Sequence, residues 1–142
     1  MSCEQREQYW IDLEDEILQG GAAFSEWCTY ISKDVYIAFV NGANLSTIVM
    51  ALACIETYLK TENFERKRQP LSKMIDDEEA LCDEEKQSLH ELRKYRNKWV
   101  HMYNADDRDI LDNERQITDE AEKMAFLAVK ILLTVLFSNQ FV

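Results

Sequence analysis

"ANLSTIVMALACIETYLKTE", residues 43–62, decides the fold class. Leu45, Ile48, Val49, Ile55 and Leu59 fall within about 60° of Leu52 on a wheel of 100° per residue, the period of a helix with one apolar face. Asn41-Gly42 stops whatever precedes it, and "NFERKRQP" (63–70) follows as a linker. Upstream, 22–40 carries Phe24, Trp27, Cys28, Ile31, Val35, Ala38 and Phe39. Residues 4–19 carry Tyr9, Trp10, Leu13 and Ile17 and end at Gly20-Gly21, a helix terminus of the usual kind. Downstream, Pro70 opens a short helical piece over 70–76. The acids of "DDEEALCDEEK" suit the N-terminus of a long helix from Asp83 to about His101. "NADDRDILDNERQI" (104–117) reads as an irregular acidic loop. Thr118 then stands as N-cap of a last helix over 119–138.

Only three glycines and one proline interrupt 142 residues, and no run alternates Val or Ile in strand fashion. The reading is an all-α bundle of four to five long helices in one domain. An N-terminal helical pair occupies 1–40 and a core bundle 43–138. The balance is acidic, 27 Asp and Glu against 16 Lys and Arg, net −11. That argues against binding nucleic acid with the whole surface, but allows a local site where bases gather: "ERKRQP", and Arg93, Lys94, Arg96 and Lys98. The four cysteines, Cys3, Cys28, Cys54 and Cys82, form no CxxC motif. Cys28 and Cys54 read as buried thiols. The N-terminus lacks signal-peptide features, and "AFLAVKILLTVLF" (125–137) is too short and too interrupted to span a bilayer. These points imply a soluble protein in the reducing cytoplasm. No Gly-rich phosphate loop, GxSxG, HExxH or metal-ligand spacing is present.

Two charges fall inside apolar faces. On the wheel of "LRKYRNKWVHMY" (92–103), Leu89, Leu92, Trp99, Val100 and Tyr103 lie within about 60° of Arg96, which sits at the centre. Glu56 lies about 40° from Leu52 on 43–62. A buried charge is tolerable only when paired and hydrogen-bonded, so Glu56 is expected to face Arg96, directly or through a polar neighbour. Such a pair serves packing alone as readily as chemistry. Asn97 and His101 lie side by side at the edge of the stripe, at about 100° and 140°. His90 reads as a surface residue.

"RNKWVH" (96–101) resembles the R-N-x-x-x-H form of the Arg-x4–6-His motif of HEPN domains. Those are all-α bundles, many of them metal-independent endoribonucleases. Their motif lies late in the helix before the last, as here, and an acidic residue in an earlier core helix matches Glu56. The resemblance spans about 43–138, but its sequence-specific part is six to eight residues. "RNKWVHMY" also fits the Arg-x4-His-x-Tyr form of HEPN toxins paired with a nucleotidyltransferase antitoxin, where the tyrosine is adenylylated. By resemblance, Tyr103 would be that target.

The resemblance implies a ribonuclease toxin or defence protein that needs no cofactor and cleaves RNA by 2′-hydroxyl attack. Arg96, Asn97 and His101 would be its catalytic set, with Glu56 and Tyr103 supporting. HEPN domains dimerise so that two motifs share one cleft, which implies a homodimer. The residue types suit the task. Histidine moves protons near neutrality, and arginine offers phosphate a fork of donors. The alternative is a HEPN-like module that binds nucleotide, RNA or protein without catalysis.

Overall fold

The computed structural model describes residues 1–101 and 113–141. Within them the chain forms α1 (Cys3–Ile17), α2 (Glu26–Val40), α3 (Asn44–Glu62), a 3-10 turn (Phe64–Arg66), α4 (Leu71–Asp77), α5 (Asp83–His101) and α6 (Glu114–Leu136). Five helices are long and α4 is a short brace, so the bundle holds one element more than its long helices. No strand forms among the described residues. A single bridge pairs Gly21 with Phe141.

The helix starts follow local chemistry. Ser2 and Gln5 form a reciprocal capping box on α1, and Ser25 caps α2 by accepting from the Cys28 N–H. At the end of α1 the side chain of Gln140 does the capping. Its Oε1 accepts from the N–H groups of Gln19 (2.7 Å) and Gly20 (3.1 Å), and its Nε2 donates to the Ile17 carbonyl (2.9 Å). Thr118 is not an N-cap. Helix α6 begins several residues earlier, behind Asn113, so Thr118 lies inside it.

Helix α3 runs through the middle, packed on α2, α6 and α5. Its buried residues are Thr47, Ile48, Ala51, Leu52, Cys54, Ile55, Tyr58 and Leu59. This face is centred about 80° round from the aliphatic stripe expected of the sequence. The small residues explain the rotation, because Ala51 and Cys54 let a neighbouring helix approach closely. The crossing with α2 is tight enough for Cys54 Sγ to donate to the Cys28 carbonyl at 3.5 Å and Cys28 Sγ to the Cys54 carbonyl at 3.9 Å. Both thiols are free and fully buried. Their mutual hydrogen bond and their burial push the Cys54 thiol up. Leu45 is consequently turned to solvent, 38% exposed, and Trp27 on α2 is 75% exposed instead of joining the core.

The charges that are buried were not the expected ones. Arg6 donates to the Phe39 carbonyl (2.9 Å) and Asn44 Oδ1 (2.9 Å), reaches Glu122 at 3.5 Å, and stacks over the rings of Phe39 and Phe126. Arg66 donates to Glu78 at 2.7 Å and to the Leu59 carbonyl at 3.3 Å. It closes the end of α3 against the segment after α4, so one of the clustered bases in "ERKRQP" is structural.

Candidate functional site

Helix α5 carries the motif, and its register differs from the sequence reading. The residues it buries are Leu89, Leu92 and Tyr95, with Trp99 packed at the margin. That face is centred about 45° from Arg96, which therefore stands off-centre, just inside the edge that Leu89 marks. Val100, expected in the stripe, is 50% exposed. Tyr95 is the cause. Its ring packs edge-on against Trp99, with centroids 6.4 Å apart, and draws the core face round the helix. Burial pushes the Tyr95 hydroxyl up.

Arg96 is half-buried, and its partner is the adjacent Asn97. Nε and Nη2 donate to Asn97 Oδ1 at 3.2 and 2.9 Å. The amide oxygen holds the guanidinium from one side without neutralising it. Among the described residues no carboxylate forms an ion pair with Arg96. Glu56 does not face it as an ion-pair partner. Glu56 bonds Lys60, one turn along α3, at 3.3 Å. The physical reason is exposure: the Glu56 side chain keeps 33% of its surface in solvent and needs no buried counter-charge. His101 is exposed and ends α5, where a basic side chain suits the helix dipole. About 7.5 Å of axial rise separates it from Arg96. Tyr103 lies outside the described residues.

A second arrangement on the same helix was not anticipated. His90 Nε2 lies 2.7 Å from Asp76 Oδ1, and Arg93 Nη2 lies 3.4 Å from His90 Nδ1. Lys86 Nζ donates to the Asp76 carbonyl at 2.8 Å. With Nε2–H donating to Asp76, Nδ1 accepts from Arg93, and both ring nitrogens are engaged. His90 thus straps the end of α4 to α5. The sequence spacing could not show this, because Asp76 reaches it from another element.

A shallow depression of about 350 Å³ lies between the start of α3, Trp99 of α5 and the first turns of α6. Its lining includes Asn44, Leu45, Ile117 and Thr118 but none of Arg96, Asn97 and His101. Among the described residues no group of His, Cys, Asp and Glu could hold a metal ion. Nor is any helix among them long and apolar enough to cross a membrane. Comparison with family models, with curated proteins and with solved structures returned no match for this chain.

Proposed function

We propose that the chain is a metal-independent endoribonuclease of the HEPN type, acting in the cytoplasm as a toxin or defence protein. The observation that supports this reading is the state of Arg96. It is a half-buried cation, oriented by Asn97 and unpaired with any described carboxylate, on the helix whose last residue is His101. A guanidinium fixed on one edge and open on the other is suited to a phosphate. His101 takes the proton of a 2′-hydroxyl, the 2′-oxygen attacks phosphorus, and the bond to the 5′-oxygen breaks. The leaving oxygen takes a proton from His101 of a second copy, and the product end is a 2′,3′-cyclic phosphate. Arg96 of both copies stabilises the charge that builds on the phosphoryl oxygens. A nucleotidyltransferase-type antitoxin acting on Tyr103 would complete the system.

Purified protein is expected to cleave single-stranded RNA in EDTA and leave cyclic-phosphate ends. His101→Ala should lower the rate by at least about 10²-fold, the scale of a lost proton-transfer group. Unchanged cleavage by that variant would exclude this site. The net charge of −11 favours a second reading, a HEPN-like module that binds nucleotide, RNA or protein without cleaving. Binding without cleavage by a chain that still associates would decide for it.

A further inference from the structure

The outward face of α2 is apolar where a surface helix is usually polar. Trp27, Tyr30 and Ile37 are 75%, 66% and 47% exposed. On the helical wheel they span about 80°, one stripe that also holds Asp34. Scattered exposed apolar residues are ordinary, but an aromatic stripe along one helix marks a contact surface. Three exposed charges accompany it: Glu26 and Lys33 along one edge, and Asp34 inside the stripe, about 20° from Trp27 on the side of Tyr30. Among the described residues none of the three forms a salt bridge. Lys33 Nζ lies over the Tyr30 ring, 5.1 Å from its centroid, so the ammonium is held against the stripe.

The spacing of these charges fits one occupant. Glu26 and Lys33 are two turns apart on the same edge, about 10.5 Å along the axis. Consider a second α2 running antiparallel, related by a two-fold axis level with the midpoint of Thr29 and Tyr30. Such an axis keeps each edge on its own side, so Glu26 of each copy meets Lys33 of the other. Trp27 and Tyr30 of both copies then meet at the centre. Asp34 falls beside the N-terminus of the second α2, where the helix dipole favours a carboxylate. One operation thus matches the charged edge, the apolar centre and Asp34, the self-complementarity that an isologous contact requires.

We propose that α2 is a self-docking face, through which two copies of this chain pair antiparallel on Trp27 and Tyr30 with reciprocal Glu26–Lys33 ion pairs. The exposed area of the three apolar residues is on the order of 400 Å² per copy. With the polar rim, the contact reaches the lower range of specific interfaces, near about 1,200 Å² in total. The association is therefore concentration-dependent. Repulsion between two acidic chains acts at long range and is screened beyond about 8 Å at physiological salt, whereas the ion pairs act in contact. Helix α2 packs on α3, α1 and α6, and α5 packs on α6, α3 and α4. With α3 and α6 between them, this contact is separate from the groove that α5 would share, and it does not rest on the ribonuclease reading.

Sedimentation equilibrium of the full chain at 0.15 M salt tests the proposal. The wild type is expected to associate as concentration rises. Trp27→Ala with Tyr30→Ala should halve the mass at a loading where the wild type is associated. Glu26→Lys and Lys33→Glu should each weaken association by at least about tenfold, because like charges then face each other twice. The double reversal should restore it. All four side chains are exposed, so circular dichroism and melting should be unchanged. A wild type that is monomeric throughout, an unchanged mass in the aromatic variant, or a double reversal no better than the single ones overturns the proposal. The readout is the ratio of variant to wild-type mass, so pairing through α5 neither mimics nor masks it.

Discussion

Arg6 is 4% exposed, Arg96 is half-buried, and the environments of these two arginines separate a structural cation from one offered to a ligand. Arg6 satisfies the Phe39 carbonyl and Asn44, and two aromatic rings cover its guanidinium. Arg6→Ala leaves those acceptors buried without a donor and opens a hole between rings. The expected cost is about 3 kcal/mol, which lowers Tm by about 10 °C in a chain of this size. Arg96→Ala removes hydrogen bonds to one neighbouring amide, a net loss of about 1 kcal/mol, and should shift Tm by no more than about 3 °C. Parallel thermal melts give the comparison. A melt of Arg96→Ala as low as that of Arg6→Ala would assign Arg96 to the core and remove the basis of the proposed site. The sequence reading singled out Arg96, as a packing partner of Glu56 or a catalytic residue, and passed over Arg6. Arg96 stood out because Leu89, Leu92, Trp99 and Val100 surround it on the wheel, and Arg6 did not because its partners lie on α2, α3 and α6.

At the scale of elements, the turn after α1 meets the segment after α6. The N–H of Gly21 donates to the Phe141 carbonyl at 2.6 Å, and the Phe141 N–H returns to the Gly21 carbonyl at 2.7 Å. The Phe141 ring occupies the place where a Cβ on Gly21 would stand. Gly21→Ala must therefore displace the ring or part the two strands of backbone. Phe141 is 59% exposed, so its ring can turn away into solvent, and the expected cost is about 1 kcal/mol, the low end of an overpacking penalty. Chemical denaturation should show a fall of that size, with Phe141→Ala restoring much of it in the double variant. The sequence placed a helix end at these glycines correctly, but the reason was invisible, because the contact spans the chain. The same limit explains the other elements. Periodicity and breakers located five long helices and the bounds of α5 closely, since those signals are local. They failed at the start of α2, expected at 22 but set at Glu26 by the Ser25 cap, at the start of α6, where no side chain caps the helix, and at the faces of α3 and α5. Those faces are set by which neighbours approach, and Ala51, Cys54 and Tyr95 carry little weight in an aliphatic pattern. Of the candidate site, the Arg96–Asn97 contact joins adjacent residues and was within reach of the motif. The Glu56–Lys60 pair is likewise an i,i+4 contact within reach of the sequence, but the rotated face of α3 that leaves Glu56 in solvent was not.

The whole molecule is acidic, net −11, and its response to alkali depends on where its phenols lie. Tyr95 is 8% exposed, and its hydroxyl is buried with no hydrogen-bond partner among the described residues. Burial pushes this hydroxyl above its ordinary value near 10; the adjacent Trp99 side chain opposes the rise, and the Glu120 carboxylate adds a little to it. Burial likewise pushes Tyr58 on α3 up. In the unfolded chain both titrate near pH 10, so between that value and their folded values the native state binds more protons than the unfolded state. Stability from this source is therefore fully present below about pH 10 and is lost as pH rises through the folded values. Each phenolate formed also adds negative charge to an already self-repelling chain. Tyr95→Phe separates this effect from every other alkaline change, which is common to both proteins. At pH 7 the variant gives up no hydrogen bond and should be as stable as the wild type or slightly more so. Above pH 10 it should lose stability less steeply, so the two denaturation midpoints diverge as pH rises. Midpoints that fall in parallel from pH 9 to pH 11 would show that the Tyr95 hydroxyl is as well solvated in the folded protein as in the unfolded chain. The core face of α5 would then be drawn wrongly, and with it the off-centre position of Arg96 on which the proposed site depends.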